Sequence, residues 1–230
     1  MTKALVFDTG PIITLAMNNL LWILKPLKEK FKGEFYITKS IERECIERPL
    51  TSKKFKFEAL QILKLKQEGI LKSYKDPKLK NKTQELLKLS NSLFKVHGNF
   101  IKNVQYAEIE AVGASLLLNA KAVVIDEFIT RTLLETPLAV KRRMEKKMHE
   151  KVYVENENIK KFQQETKEVR VIRSVEMVTI AYELGLLNDY SLKIPEPKKT
   201  LLEALLWAVK LNGCSISEKE IKEIRKLEAV

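Results

Sequence analysis

Two short apolar runs, each stopped by an acid, constrain this chain more than anything else in it. Near the amino terminus Ala4-Leu5-Val6-Phe7 ends at Asp8, and Thr9-Gly10-Pro11-Ile12-Ile13 follows. Four apolar residues in a row fit a strand buried on both faces of a parallel sheet. Gly10 permits a tight turn and Pro11 suits a first helical position, so a helix is expected over 11–24. In open α/β sheets such a junction opens into the crevice where ligands bind. Asp8 then either caps the helix or faces that crevice, and one such unit alone leaves both readings open. Recurrence shifts the balance toward the crevice: Lys121-Ala122-Val123-Val124-Ile125-Asp126-Glu127 repeats the design.

Around these runs strand and helix patterns alternate, as in an α/β fold. Residues 28–32 read as a polar connection to a strand over 35–38. Residues 40–48 have helical character that should stop before Pro49. A helix over 57–68 ends at Gly69, a strand follows over 70–74, and a Lys-rich helix is expected over 78–94. The segment 106–119 is apolar almost all round yet carries Glu108 and Glu110, with no Lys or Arg between Asn103 and Ala120. Buried carboxylates are costly without a cation, although a helix amino terminus offsets part of that cost. Residues 169–172 resume the sheet, and an apolar helix runs from Ser174 to Gly185. The last segment pairs a helix ending at Asn212-Gly213 with one opened by the capping box Ser217-Glu218-Lys219-Glu220.

At 230 residues the chain has room for one domain with insertions. Residues 1–230 read as a single domain, with 133–169 a basic helical insertion and 199–230 a C-terminal helical hairpin. The insertion opens at Thr136-Pro137 and carries Lys141, Arg142, Arg143, Lys146, Lys147 and Lys151. It lacks a strong apolar stripe and reads as an excursion from the core rather than part of it. The formal net charge of +12 favours polyanionic partners, nucleic acid first, although any single lysine can equally belong to a solvated face. No apolar stretch approaches the roughly 18 to 20 residues that span a bilayer, and the chain enters a strand at once, so a soluble cytoplasmic protein without membrane contact is expected.

The remaining inventory excludes much chemistry. Cys45 and Cys214 are too isolated for a disulfide framework or a thiolate zinc site, and His97 and His149 are too few for a histidine one. There is no Gly-x-Gly, Walker-type loop or Gly-x-Ser-x-Gly elbow. What remains is a set of acids: Asp8, Glu44, Glu108 or Glu110, and Asp126. Glu44 lies beside the stripe formed by Ile41 and Cys45, and on spacing alone a surface ion pair with Arg48 is its better account. Glu108 and Glu110 do not share a helix face, so one inner ligand is easier than two. Oxygen-rich clusters select hard cations such as Mg²⁺ or Mn²⁺. Crowded acids of this kind repel, so Asp126→Asn is expected to stabilise the metal-free protein.

These segments together resemble the PIN-domain family of nucleases. Val6 to Ile13 looks like its opening motif, Tyr36 to Glu44 its second acid-bearing helix, and Ala107-Glu108-Ile109-Glu110-Ala111 its third. Ala122 to Arg131 looks like the strand with the fourth acid and a following basic residue. The likeness covers the first 131 residues in outline and the closing strand and helices more loosely, leaving 133–168 uncovered. Gly10 stands where the family often carries a small polar residue. The resemblance implies a three-layer α/β/α sandwich with a mainly parallel, Rossmann-like sheet. It implies an endoribonuclease that hydrolyses RNA with Mg²⁺ or Mn²⁺ held by Asp8, Glu108 and Asp126, with Glu44 catalytic and Glu110 an outer ligand. Thr9 would position water and Arg131 would meet a phosphate, with Lys141, Arg142 and Arg143 on the RNA backbone. A cognate antitoxin and a second copy of the chain are the protein partners implied. The alternatives are a PIN-like RNA-binding or scaffold protein that cuts little, and a flap-type DNA nuclease.

Overall fold

The run Ala4 to Phe7, buried throughout, forms the middle of the sheet. The structure is a computed structural model describing residues 3–228. Its central sheet contains β1 (Lys3–Phe7), β2 (Gly33–Ile37) and β3 (Leu71–Ser73). β4 (Phe94–Val96) and β5 (Asn99–Phe100) stand apart from it; β6 (Ala122–Val124) rejoins it. β7 (Tyr153–Val154) again lies outside, and β8 (Val171–Ile172) completes the central sheet. That sheet has the order β3-β2-β1-β6-β8, with every pairing parallel. Helices flank it in a three-layer α/β/α sandwich. A parallel sheet covered on both faces needs apolar side chains on both sides of each strand, which is why unbroken apolar runs rather than alternating ones build β1 and β6.

From β1 the chain winds outward through β2 to β3, then crosses back to β6 on the other side of β1 and on to β8. The order therefore reverses between β1 and β6. Helices leaving two such neighbours go to opposite faces, and a crevice opens at the strands' carboxyl ends. Asp8 follows β1 directly, and Asp126 lies two residues beyond Val124, the last residue of β6.

Several elements depart from the expected ones. The first helix is Thr9–Met17, not 11–24, and a 3₁₀ turn Leu21–Ile23 leads to a second helix Leu24–Phe31. Asn19 breaks the run at φ 59°, a left-handed conformation that asparagine adopts more readily than most residues. Residues 28–32 are thus helix end rather than connection, and Lys28 is held by the Gly69 carbonyl at 2.6 Å and by Glu34 at 2.7 Å. The helix begun at Lys39–Glu42 passes through Pro49 instead of stopping before it: a π turn at Arg43–Glu47 continues into Arg48–Leu50. Proline inside a regular helix clashes with the carbonyl four residues back, and here it follows a wider turn and sits at the start of the next segment. The Lys-rich helix stops at Ser90, so Phe94 belongs to β4.

The insertion is the largest departure. Its helices Pro137–Met148 and Asn156–Thr166 place Val140, Met144, Ile159 and Phe162 in the same apolar core as the sheet. Between them β7 pairs antiparallel with β4, which also pairs with β5. Val140 and Met144 form a stripe one residue wide among lysines, too narrow to read as a packing face before the partner surface is known. The C-terminal helices Pro197–Leu211 and Glu218–Leu227 form the expected hairpin with its capping box at Ser217. No helix among the described residues is long and apolar enough to cross a membrane.

Candidate functional site

At the switch point lies a crevice of about 370 Å³ lined by Asp8, Thr9, Glu44, Glu108, Asp126 and Glu127, with Gln105, Thr14, Asn212 and Gly213 among its other walls. None of the lining residues is Lys, Arg or His. Asp8, Glu44, Glu108 and Asp126 thus meet in one place, from four separate chain segments.

Asp8 answers to both of its readings. It is the N-cap of helix Thr9–Met17, its Oδ2 accepting from the Gly10 amide at a long 3.4 Å. Its Oδ1 is buried with no hydrogen-bond partner. Burial pushes its carboxyl up from 3.8 to about 7, with Glu108 and Glu44 adding repulsion against the backbone donors of Thr9 and Gly10. Gly10 keeps the helix start close to β6: a Cβ there would lie 3.4 Å from that of Asp126.

Glu44 does not pair with Arg48. The Thr9 hydroxyl donates to its Oε2 at 2.8 Å, and the π turn that carries it is the kind of helix irregularity found often at functional sites. Glu108 occupies the first turn of helix Tyr106–Leu118 and accepts from the Gln105 amide at 3.1 Å and the Thr130 hydroxyl at 2.6 Å. Burial raises its carboxyl above the ordinary range, against those donors and with Glu127 and Glu44 repelling it. Glu110 points elsewhere. It accepts from the Ser40 amide at 3.0 Å and so fastens the start of the Glu44 helix instead of lining the crevice.

Asp126 differs most from expectation. It is buried, and both oxygens are occupied: Oδ1 accepts from the Ser174 amide at 2.7 Å, and Oδ2 from the Ser174 and Thr14 hydroxyls at 2.7 and 2.8 Å. An asparagine in its place would leave one of these three donors without its acceptor, so the bonded network favours a loss of stability for Asp126→Asn where crowding alone led to the expectation of a gain. Its carbonyl also accepts from the Ser215 amide at 3.0 Å, drawing the C-terminal turn to the crevice.

The basic residues stand outside. Arg131 is mostly buried, pairs with Glu135 at 3.0 Å and lines no part of the crevice. Arg143 stacks on Phe128, 4.0 Å from the ring centroid, and Lys141 pairs with Glu145 at 3.7 Å, while Arg142 is exposed. Phe128 immediately follows the crevice residue Glu127, so Arg143 sits near the rim rather than inside it.

Glu127, Thr14, Gln105, Asn212 and Gly213 are crevice residues that the sequence reading did not select. Thr14 had a signal, as the one polar residue among Ile12, Ile13, Leu15 and Ala16. Asn212 and Gly213 had none beyond that of a turn.

As the side chains stand, no group of three or more His, Cys, Asp or Glu among the described residues is set to hold a metal ion; Glu44 and Glu108 are turned onto threonine hydroxyls. The donor set nonetheless fits a hard divalent cation, being all oxygen and including the orphaned Oδ1 of Asp8. Fold and crevice together define a class, a parallel α/β sandwich whose switch-point crevice is lined by acids and by no Lys, Arg or His. No family model matches the chain, and neither a curated protein nor a solved structure matches it.

Proposed function

We propose that the protein is a divalent-metal-dependent nuclease of PIN-domain type that hydrolyses RNA phosphodiester bonds in this crevice. The observation that carries the reading is Asp8 Oδ1, buried without a partner among acids that no lining cation compensates. Uncompensated buried charge of this sort favours a bound cation, and carboxylate oxygens favour Mg²⁺ or Mn²⁺. Asp8, Glu108 and Glu44 would hold it, with Asp126 and Glu127 adding negative potential. Such an ion supplies an activated water and charge stabilisation on phosphoryl oxygens. The chain's own part is positioning. Thr9 and Thr130 hold the carboxylates of Glu44 and Glu108, Glu110 fixes the helix that brings Glu44, and Asp126 binds together the walls formed by Thr14, Ser174 and the C-terminal turn. The resemblance of the acid-bearing segments to the PIN family and the net charge of +12 support a polyanionic substrate. On the same reading Arg143 and its neighbours meet the backbone, the protein works in the cytoplasm, and an antitoxin or a second copy is its protein partner.

Asp8→Asn should abolish Mn²⁺-dependent cleavage of RNA while leaving the circular dichroism spectrum unchanged. Cleavage by that variant at the wild-type rate would remove Asp8, and with it the proposed site. One observation favours a second reading, an RNA-binding protein of the same fold that does not cut: the three donors on Asp126 leave it little capacity for a metal. RNA binding in chelator without turnover in Mn²⁺ would select that reading, and turnover confined to branched DNA would move the substrate to DNA.

A further inference from the structure

The small antiparallel sheet stands apart from the acid crevice, and the proposed chemistry makes no use of it. β4 is its middle strand, and Lys95 lies opposite Phe100 on β5 and opposite Tyr153 on β7. Residues directly opposite across antiparallel strands share a face, so Phe100, Lys95 and Tyr153 form one row. The reverse face is the packed one, since Phe94, Val96 and Val152 are buried. On the outer face Phe100 is 49% and Tyr153 55% exposed. Each ring has an ammonium over one of its faces, leaving the other for stacking: Lys95 Nζ lies 4.5 Å from the Phe100 centroid, and Lys151 Nζ 5.2 Å from that of Tyr153. The acids nearby are engaged, Glu155 with Lys95 at 2.5 Å and Glu150 with His97 at 3.3 Å.

We propose that this row is a stacking platform for the bases of single-stranded nucleic acid. Two exposed rings match the base faces of a single strand, and the exposed Lys151 beside Tyr153, in no ion pair among the described residues, matches its phosphates. A duplex hides its base faces in the stack and cannot use the rings in this way. Gln105, which lines the acid crevice, is five positions after Phe100, so the two lie within about 18 Å of each other even along a fully extended chain. Tyr106, also exposed, stands next to Gln105. A strand laid on the platform can therefore continue into the crevice. Binding follows from the platform itself; the fate of the bound strand rests on the nuclease reading above.

The test is fluorescence anisotropy of a labelled, unstructured RNA oligomer in chelator, with wild type, Phe100→Ala/Tyr153→Ala and Phe100→Trp/Tyr153→Trp. Both rings are exposed, so all three proteins should melt together. The alanine pair should bind the single strand at least about ten-fold more weakly, the tryptophan pair should restore affinity, and a duplex of the same length should respond little. Equal affinity of the alanine pair and wild type, an equal loss on the duplex, or no nucleic-acid binding by wild type would each overturn the platform. The two readings fail separately. Ring-dependent binding with no cleavage in Mn²⁺ would leave the platform standing and remove the nuclease. Asp8-dependent cleavage with ring-independent binding and cutting would do the reverse.

Discussion

Asp8 enters the interior with one oxygen on the Gly10 amide and the other on nothing. Burial first, then Glu108 and Glu44, hold its proton on up to about 7. An acid raised in the folded state is protonated in both states below about pH 4 and costs nothing there. As the pH climbs toward 7 the unfolded chain gives up the proton while the folded one keeps it, so this group lowers stability over that window and no further above it. In chelator, Asp8→Asn should therefore melt with wild type near pH 4 and above it at pH 8, by an amount on the order of 2–4 kcal/mol. An equal gap at both pH values would mean that Asp8 is not the group responsible. Substitution of Asp126 should instead destabilise the fold, through its hydrogen bonds. Asp126→Ala strands the Ser174 amide and should cost about 3 kcal/mol at neutral pH, with Asn costing less because its amide oxygen can still accept from that amide. A thermal melt in which Asp126→Ala is as stable as wild type would contradict the bonded network.

At the scale of elements, the crevice depends on how a few segments are terminated. Thr9–Met17 starts at Asp8, Tyr106–Leu118 at the Gln105–Glu108 capping box, and Phe128–Glu135 at Glu127, which accepts from the Thr130 amide at 2.6 Å. Helix amino termini thus converge on the acids, and their partial positive charge offsets part of the repulsion. The C-terminal hairpin closes the remaining wall. Gly213 has φ 128°, and a Cβ there would come within 3.3 Å of the Thr14 hydroxyl that Asp126 accepts from. Gly213→Ala should cost more than about 1 kcal/mol and weaken Mn²⁺ stabilisation of the fold, read as a smaller metal-induced rise in melting temperature. An alanine variant with wild-type stability and metal response would separate the turn from the site. The five strands of the central sheet and most helices were legible from periodicity, whereas β4, β5 and β7 were too short to show one; the π turn was hidden too, because an extra residue in a helix leaves no mark on an apolar stripe that Ile41, Cys45 and Ile46 satisfy in either geometry.

For the whole molecule, charge and core have to be read together. The insertion carries a dense run of Lys and Arg, yet Val140, Met144, Ile159 and Phe162 tie it into the core. Its cations are therefore fixed relative to the crevice instead of trailing from it. Neutralising Lys141, Arg142 and Arg143 to alanine should weaken binding of unrelated RNAs alike and flatten the slope of log affinity against log salt by up to about two units, at ~0.7 for each lost phosphate contact. Arg143, exposed like Arg142 but held by its stack on Phe128, should account for the smaller part. A slope unchanged in the triple variant would return this charge to solvent.

The apolar runs ending in Asp8 and Asp126 determined the parallel sheet and the place of its ligand crevice, because only two-sided burial explains them and only a switch point joins their ends. Which acids differ in kind was decided by tertiary contact. Spacing cannot show that Ser174 and Thr14 saturate Asp126, that Ser40 claims Glu110, or that Asp8 keeps an oxygen with no donor, since those partners come from segments up to 112 residues away. The same limit hid the row of Phe100, Lys95 and Tyr153. Cross-strand register is a property of paired backbones, and β4 and β7 meet only once the insertion has packed onto the core.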